Sequence, residues 1–120
     1  MATILVNCAH GSEDPERAIL PFVVGNVAAS ADQDAIVFLT IEGVRLATRG
    51  YAESVKKDGF QPAHEVIQSF IANGGQVWAC AACTKPRGIT EADLIPGAQI
   101  KTAANLVECL ATGATAINVA

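Results

Sequence analysis

The stretch "GGQVWACAACTKPRG", Gly74 to Gly88, contains a helix stop, a strand and a cysteine pair in direct succession. Gly74-Gly75 is a C-terminal cap for a helix that precedes it. "QVWAC" is short, apolar and β-prone, and it places Cys80 at the end of a strand. "AACTKPRG" continues neither pattern. Pro86 disfavours the helical conformation at Lys85, and Gly88 favours a loop. The motif CxxC, Cys80 and Cys83, therefore reads as strand end plus loop, followed by the two basic residues Lys85 and Arg87.

The flanking sequence repeats the alternation of helix and strand. Upstream, Ala63 to Asn73 is amphipathic, with Val66, Ile67, Phe70 and Ile71 on one face. "AIVFLT", Ala35 to Thr40, is apolar almost throughout, as suits a parallel strand covered on both faces. "EGVRLATRG" reads as a short helix, and "YAESVKKDGFQP" as a surface connection. "TILVNC", Thr3 to Cys8, is the first strand. Asp14 followed by Pro15 is an N-cap and first helical position, opening a helix to about Ser30. Pro21 lies inside it, where it bends the helix or delays its start.

Downstream, "TEADLI" reads as one helical turn capped by Thr90, and "AQIK" as a short strand. Thr102 to Thr112 is helical, with Leu106, Val107 and Leu110 inward, and "TAINV" is a last strand. This alternation predicts a three-layer α/β fold with a mostly parallel sheet, in one domain. Function then gathers at the C-terminal ends of strands, in the loops after Cys8, Thr40 and Cys80.

Composition narrows the function. A net charge of -4 leaves no polybasic surface for nucleic acid or anionic lipid. No run approaches the ~18 apolar residues of a membrane span. The start shows no secretory signal, so a cytoplasmic protein is expected. Charged residues are 17% and apolar residues 51% of the chain, more than a chain of this size buries alone, which predicts a homo-oligomer.

In a reducing compartment paired cysteines point to metal or redox chemistry more than to structural disulfides. A structural zinc site needs a second ligand pair, and only Cys8, His10, His64 and Cys109 could supply it. No metal site and no cofactor is expected. Thioredoxin-like chemistry needs the CxxC to open a helix, which Pro86 and Gly88 disfavour, although a Cys80–Cys83 disulfide stays open as a reading. A sulfur carrier needs one accessible cysteine on a loop, with Lys85 and Arg87 favouring its thiolate if they face it. Glu42 is a candidate carboxylate of this site, or a residue that complements a helix N-terminus. His10 is a further candidate, or a locally hydrogen-bonded loop residue. Cys109 reads as a small buried hydrophobe.

Taken in order, "DPERA", "FLTIEGV", "GGQVWACAACTKPRGI" and "ADLIPGAQI" resemble the DsrE/DsrF-like sulfur-relay family of TusD- and YchN-type proteins, over nearly the whole chain. The resemblance implies a five-stranded parallel sheet, trimers or hexamers, and persulfide sulfur carried on a cysteine after the third strand. In TusD-like members that cysteine stands eight positions before the glycine of an "RG" pair, as Cys80 stands before Gly88. Cys80 is then the persulfide-bearing nucleophile and Cys83 a resolving or second thiol, in place of an alanine of such members. Implied partners are sulfur donor and acceptor proteins or small persulfides. The alternatives are a thiol–disulfide protein using Cys80 and Cys83, and a non-enzymatic binding oligomer.

Overall fold

The computed structural model describes residues 2–120. Among them are five strands: β1 (Thr3–Cys8), β2 (Asp34–Leu39), β3 (Gln76–Cys80), β4 (Ala98–Lys101) and β5 (Thr115–Ile117). They form one sheet in the order β4-β3-β2-β1-β5. Every pairing is parallel. The α-helices are α1 (Pro15–Ser30), α2 (Ala63–Ala72), the single turn α3 (Ala81–Thr84) and α4 (Ala103–Ala111).

Helix α1 begins where its sequence directs. The Asp14 carboxylate accepts from the Arg17 backbone N–H at 3.2 Å, and Pro15 occupies the first turn. The helix runs on through Pro21, which is buried, without a late start. At Gly25 an added Cβ would lie 3.0 Å from Val37 and 3.1 Å from Phe70, so this glycine lets α1 approach both the sheet and α2. The Phe22 and Phe70 rings meet edge to face at 5.8 Å.

The pleat divides the strand residues between two faces. Cys8, Val37, Leu39, Val77 and Ala79 join Ile19, Phe22, Val66, Ile67 and Phe70 in the larger core, under α1 and α2. Burying each large side chain there contributes about 1.5–3 kcal/mol. On the opposite face Leu5, Ile36, Phe38 and Trp78 form a smaller cluster, against which Leu106 and Cys109 of α4 pack. Helices on both faces make this a three-layer α/β fold.

Two expectations require correction. Val107 and Leu110 of α4 do not face inward: they are 64% and 37% exposed. Leu106 and Cys109, three residues apart on one stripe, make the contact with the sheet, because the short α4 alone spans the crossover from β4 to β5. The segment "YAESVKKDGFQP" is not wholly surface. A 3-10 turn at Ala52–Ser54 folds Val55 into the core, where it is fully buried. The segment after β2 is a 3-10 helix, Ile41–Ala47, whose Val44, Leu46 and Ala47 are buried. It lies so close to β1 that a Cβ at Gly43 would overlap the Cys8 carbonyl.

Strands β1 to β4 progress in one direction, and β5 returns to the other side of β1. Such a sheet presents its functional groups beyond the C-terminal ends of its strands.

Candidate functional site: the cysteine turn at the end of β3

Cys80 ends β3 and caps the helical turn α3 with an extended backbone. The CxxC is therefore not a loop. Lys85 has φ -57 and ψ -52, a right-handed helical conformation, and a 3-10 turn follows at Lys85–Arg87. Pro86 does not prevent this because it stands in the opening turn of that segment, where its missing N–H needs no partner. The left-handed Gly88, φ 69, ends the turn, as its sequence position suggests.

Three other candidate residues, Cys83, Arg87 and Glu42, gather around this turn. Cys80 and Cys83 are free thiols, both half-buried, three positions apart across one helical turn. Arg87 Nη1 donates to the Cys83 carbonyl at 3.1 Å. Arg87 Nε donates to Glu42 Oε1 at 2.9 Å, and the other oxygen of Glu42 accepts from Arg45 Nε at 3.0 Å. Glu42 thus binds the cysteine turn to the segment after β2. The Arg87 hydrogen bond, followed by that of Arg45, holds the Glu42 carboxyl below its ordinary value despite some desolvation.

Burial pushes the Cys80 thiol above its ordinary value, and contact with Cys83 pushes it the same way. Backbone hydrogen bonds from Ala82 and Cys83 oppose this without cancelling it. The expectation that Lys85 and Arg87 favour the Cys80 thiolate is not met in this arrangement. Arg87 is engaged by Glu42 and the Cys83 carbonyl, and Lys85 is exposed.

The structure separates the other candidates from the pair. Cys8 points into the larger core, its Sγ 3.6 Å from both the His10 and Ala18 carbonyls, and burial raises its pKa to about 12. His10 Nδ1 pairs with Glu13 at 2.7 Å in the β1–α1 loop. It lines a separate cavity of about 320 Å³ with Asn7, Thr40 and Asn118. Cys109, expected as a buried hydrophobe, is half-buried against the smaller cluster.

Two neighbours of the site escape the sequence reading. Arg45 shares Glu42 with Arg87, a pairing visible only as an i,i+3 relation on the 3-10 segment. Lys101 is the register partner of Cys80 across the β3–β4 pair, and its Nζ lies 5.1 Å from the centre of the Trp78 ring. Only strand pairing reveals that relation.

A parallel α/β sheet with a reduced cysteine pair beyond its third strand is the class that fold and site define. The chain belongs to the DsrE/DsrF-like family, whose family model matches residues 2–119. It is 26% identical over 100 residues to an uncharacterised protein of Methanocaldococcus jannaschii, covering 83% of this chain and 36% of that protein. It is 30% identical over 92 residues to an uncharacterised protein of Methanopyrus kandleri, covering 77% of this chain and 73% of the relative. The chain thus spans about a third of the first relative's length. Among solved structures, the ychN protein from E. coli superimposes with a TM-score of 0.82 at 20% identity, covering 99% of this chain and 100% of that one. A protein of unknown function from Methanobacterium thermoautotrophicum gives a TM-score of 0.76 at 18% identity, with the same coverage. At these identities the likeness is one of fold.

Proposed function

We propose that the protein is a sulfur carrier in which Cys80 accepts and passes on persulfide sulfur. The observation that carries the reading is the position of Cys80: a free, half-exposed thiol at the C-terminal end of β3, in a chain of the DsrE/DsrF-like family. The Cys80 thiolate attacks the outer sulfur of a donor persulfide, R–S–SH. A new S–S bond forms on Cys80, the donor S–S bond breaks, and the donor leaves as R–SH. An acceptor thiolate then takes the outer sulfur and releases the Cys80 thiol. No external oxidant or reductant is needed. Glu42, Arg45 and Arg87 hold the turn in place, and Lys85 offers an exposed cation to a partner.

The exposed Val27, Val107 and Leu110 support a homo-oligomer, trimer or hexamer, as the family resemblance suggests. Donors and acceptors are proteins or small persulfides. The reading places the chain in a reducing cytoplasm, where its four free thiols persist.

A second reading is favoured by one observation: Cys80 opens a helical turn that carries Cys83, as in thiol–disulfide proteins. There the pair oxidises to a disulfide and is reset by a dithiol reductant.

Intact-protein mass measurement after incubation with a persulfide donor separates the two. On the carrier reading wild type and Cys83→Ser gain one sulfur atom and Cys80→Ser gains none. Loading that persists in Cys80→Ser sinks the assignment. A loss of two hydrogens that needs both cysteines establishes the redox reading instead.

A further inference from the structure

The geometry points to Lys101 as a positioning residue for Cys80: its ammonium, resting over the Trp78 ring, is the movable counter-charge for an anionic sulfur on Cys80. The inference deepens the sulfur-carrier reading and rests on it for its substrate.

Three observations place Lys101 there. Cys80 and Lys101 are register partners on adjacent parallel strands. Such strands lie about 4.8 Å apart, and partners in register project to the same face. The Lys101 Nζ over Trp78 shows which face this is. Trp78 stands two residues before Cys80 on β3, so the pleat turns both toward that face. At the rim Cys80 packs against the Trp78 cluster as well as the larger core.

The remaining charged and titratable groups around Cys80 are otherwise occupied or differently placed. Cys83, on α3, is a second thiol, and it raises the Cys80 pKa. From the 3-10 turn after α3 come Arg87, bound to Glu42, and the exposed Lys85. From the segment after β2 come Glu42 and Arg45, paired with each other. Lys101 is half-buried, and among the described residues it forms no ion pair. Its hold on the indole is a cation–π contact, which pairing with a nearby anion can replace. The lysine stem is long and flexible enough for the ammonium to pass from one site to the other.

The consequence is chemical. In the resting turn Cys80 is a protonated thiol, since burial and Cys83 oppose its ionisation. An ammonium beside the sulfur favours the thiolate that attacks the donor, and then the persulfide anion that results. Lys101 forms no bond in the reaction. The proton released by Cys80 ends on the departing donor thiol.

The test uses the full chain with Cys83→Ser and Cys109→Ser, so that Cys80 is the accessible thiol. Iodoacetamide alkylation is followed from about pH 6 to pH 10, the range that brackets thiol ionisation. Lys101→Met is expected to move the midpoint to higher pH and to slow alkylation near neutrality, on the order of three- to tenfold. Lys101→Arg restores the profile, and Lys57→Met, a loss of the same charge from the segment before α2, leaves it unchanged. Trp78, the single tryptophan, supplies a second signal: its emission changes when wild type is loaded with sulfur and stays constant in Lys101→Met.

A Lys101→Met profile that superimposes on that of the parent, while the parent still loads with sulfur, overturns the role of Lys101 alone. A parent that takes up no sulfur while its Lys101→Met profile shifts overturns the carrier reading. Lys101 then stands as the counter-charge of a redox thiol.

Discussion

Arg87 Nε meets Glu42 Oε1 at 2.9 Å across 45 positions of sequence, joining the turn that carries Cys83 to the segment that follows β2. The same guanidinium holds the Cys83 carbonyl, so the pair fixes a backbone as well as a charge. Arg87→Met should free the Thr84–Gly88 turn. Amide exchange there is expected to quicken several-fold while the unfolding midpoint barely moves, because exposed ion pairs contribute little to global stability. Sulfur loading should slow in the same variant. The carboxyl of Glu42 is held low in the folded chain, so its contribution is present above the unfolded carboxylate pKa. It is lost as pH falls through the lowered folded value. Exchange that is unchanged in Arg87→Met would show that the buried Thr84 suffices to hold the turn.

Cys83 acts on Cys80 in the direction opposite to activation. Its side chain raises the Cys80 pKa by hydrogen bonding and by charge, after the larger effect of burial. Cys83→Ala should therefore bring Cys80 ionisation to lower pH, and Cys80 alkylation at neutral pH should become faster. Desolvation remains, so the thiol stays above its ordinary value. A slower Cys80 in Cys83→Ala would reverse the sign and mark Cys83 as the helper of the nucleophile. Peptide mass mapping after timed alkylation reads the outcome.

Cys8 makes an alkaline limit to stability. Burial lifts its pKa from 9.0 to about 12, so the unfolded chain loses this proton first as pH rises. The stabilisation is complete below the unfolded value and is lost as pH climbs from 9.0 toward about 12. The full span is worth about 4 kcal/mol at roughly 1.36 kcal/mol per pKa unit. Cys8→Ala removes the titration and should flatten this limb of the urea-unfolding profile, at a packing cost of about 1 kcal/mol at neutral pH. A limb as steep in Cys8→Ala as in wild type would assign it to other groups.

The sequence is most legible where one local rule acts alone. Asp14-Pro15 opens α1, "QVWAC" is β3 from first residue to last, and Thr90 caps its turn through reciprocal bonds with Asp93. It misleads where tertiary contacts decide. Pro86 biases Lys85 away from the helical region, yet the packing of Thr84 and the Arg87–Glu42 pair draw it in. Val107 and Leu110 have the apolar character of inward residues, but a single crossover helix offers the sheet only one stripe. Of the site, Cys80, Cys83, Arg87 and Glu42 are found together, whereas His10 joins Glu13 elsewhere. Lys101 does not show in the sequence, because its relation to Cys80 is a matter of strand register, which no local pattern encodes.

The place of β5 beside β1 also bears on how the chain folds as it is made. Ile4, Leu5 and Val6 await Thr115, Ala116 and Ile117, so the edge of the first strand stays open until residues 115–117 have emerged from the ribosome. Helix α4 arrives just before, so Leu5, Ile36, Phe38 and Trp78 remain uncovered over the same interval. A nascent chain halted before α4 thus presents an unpaired strand and a bare apolar sheet face together. That is the kind of surface that chaperones recognise and that crowded translation complexes can drive to aggregate.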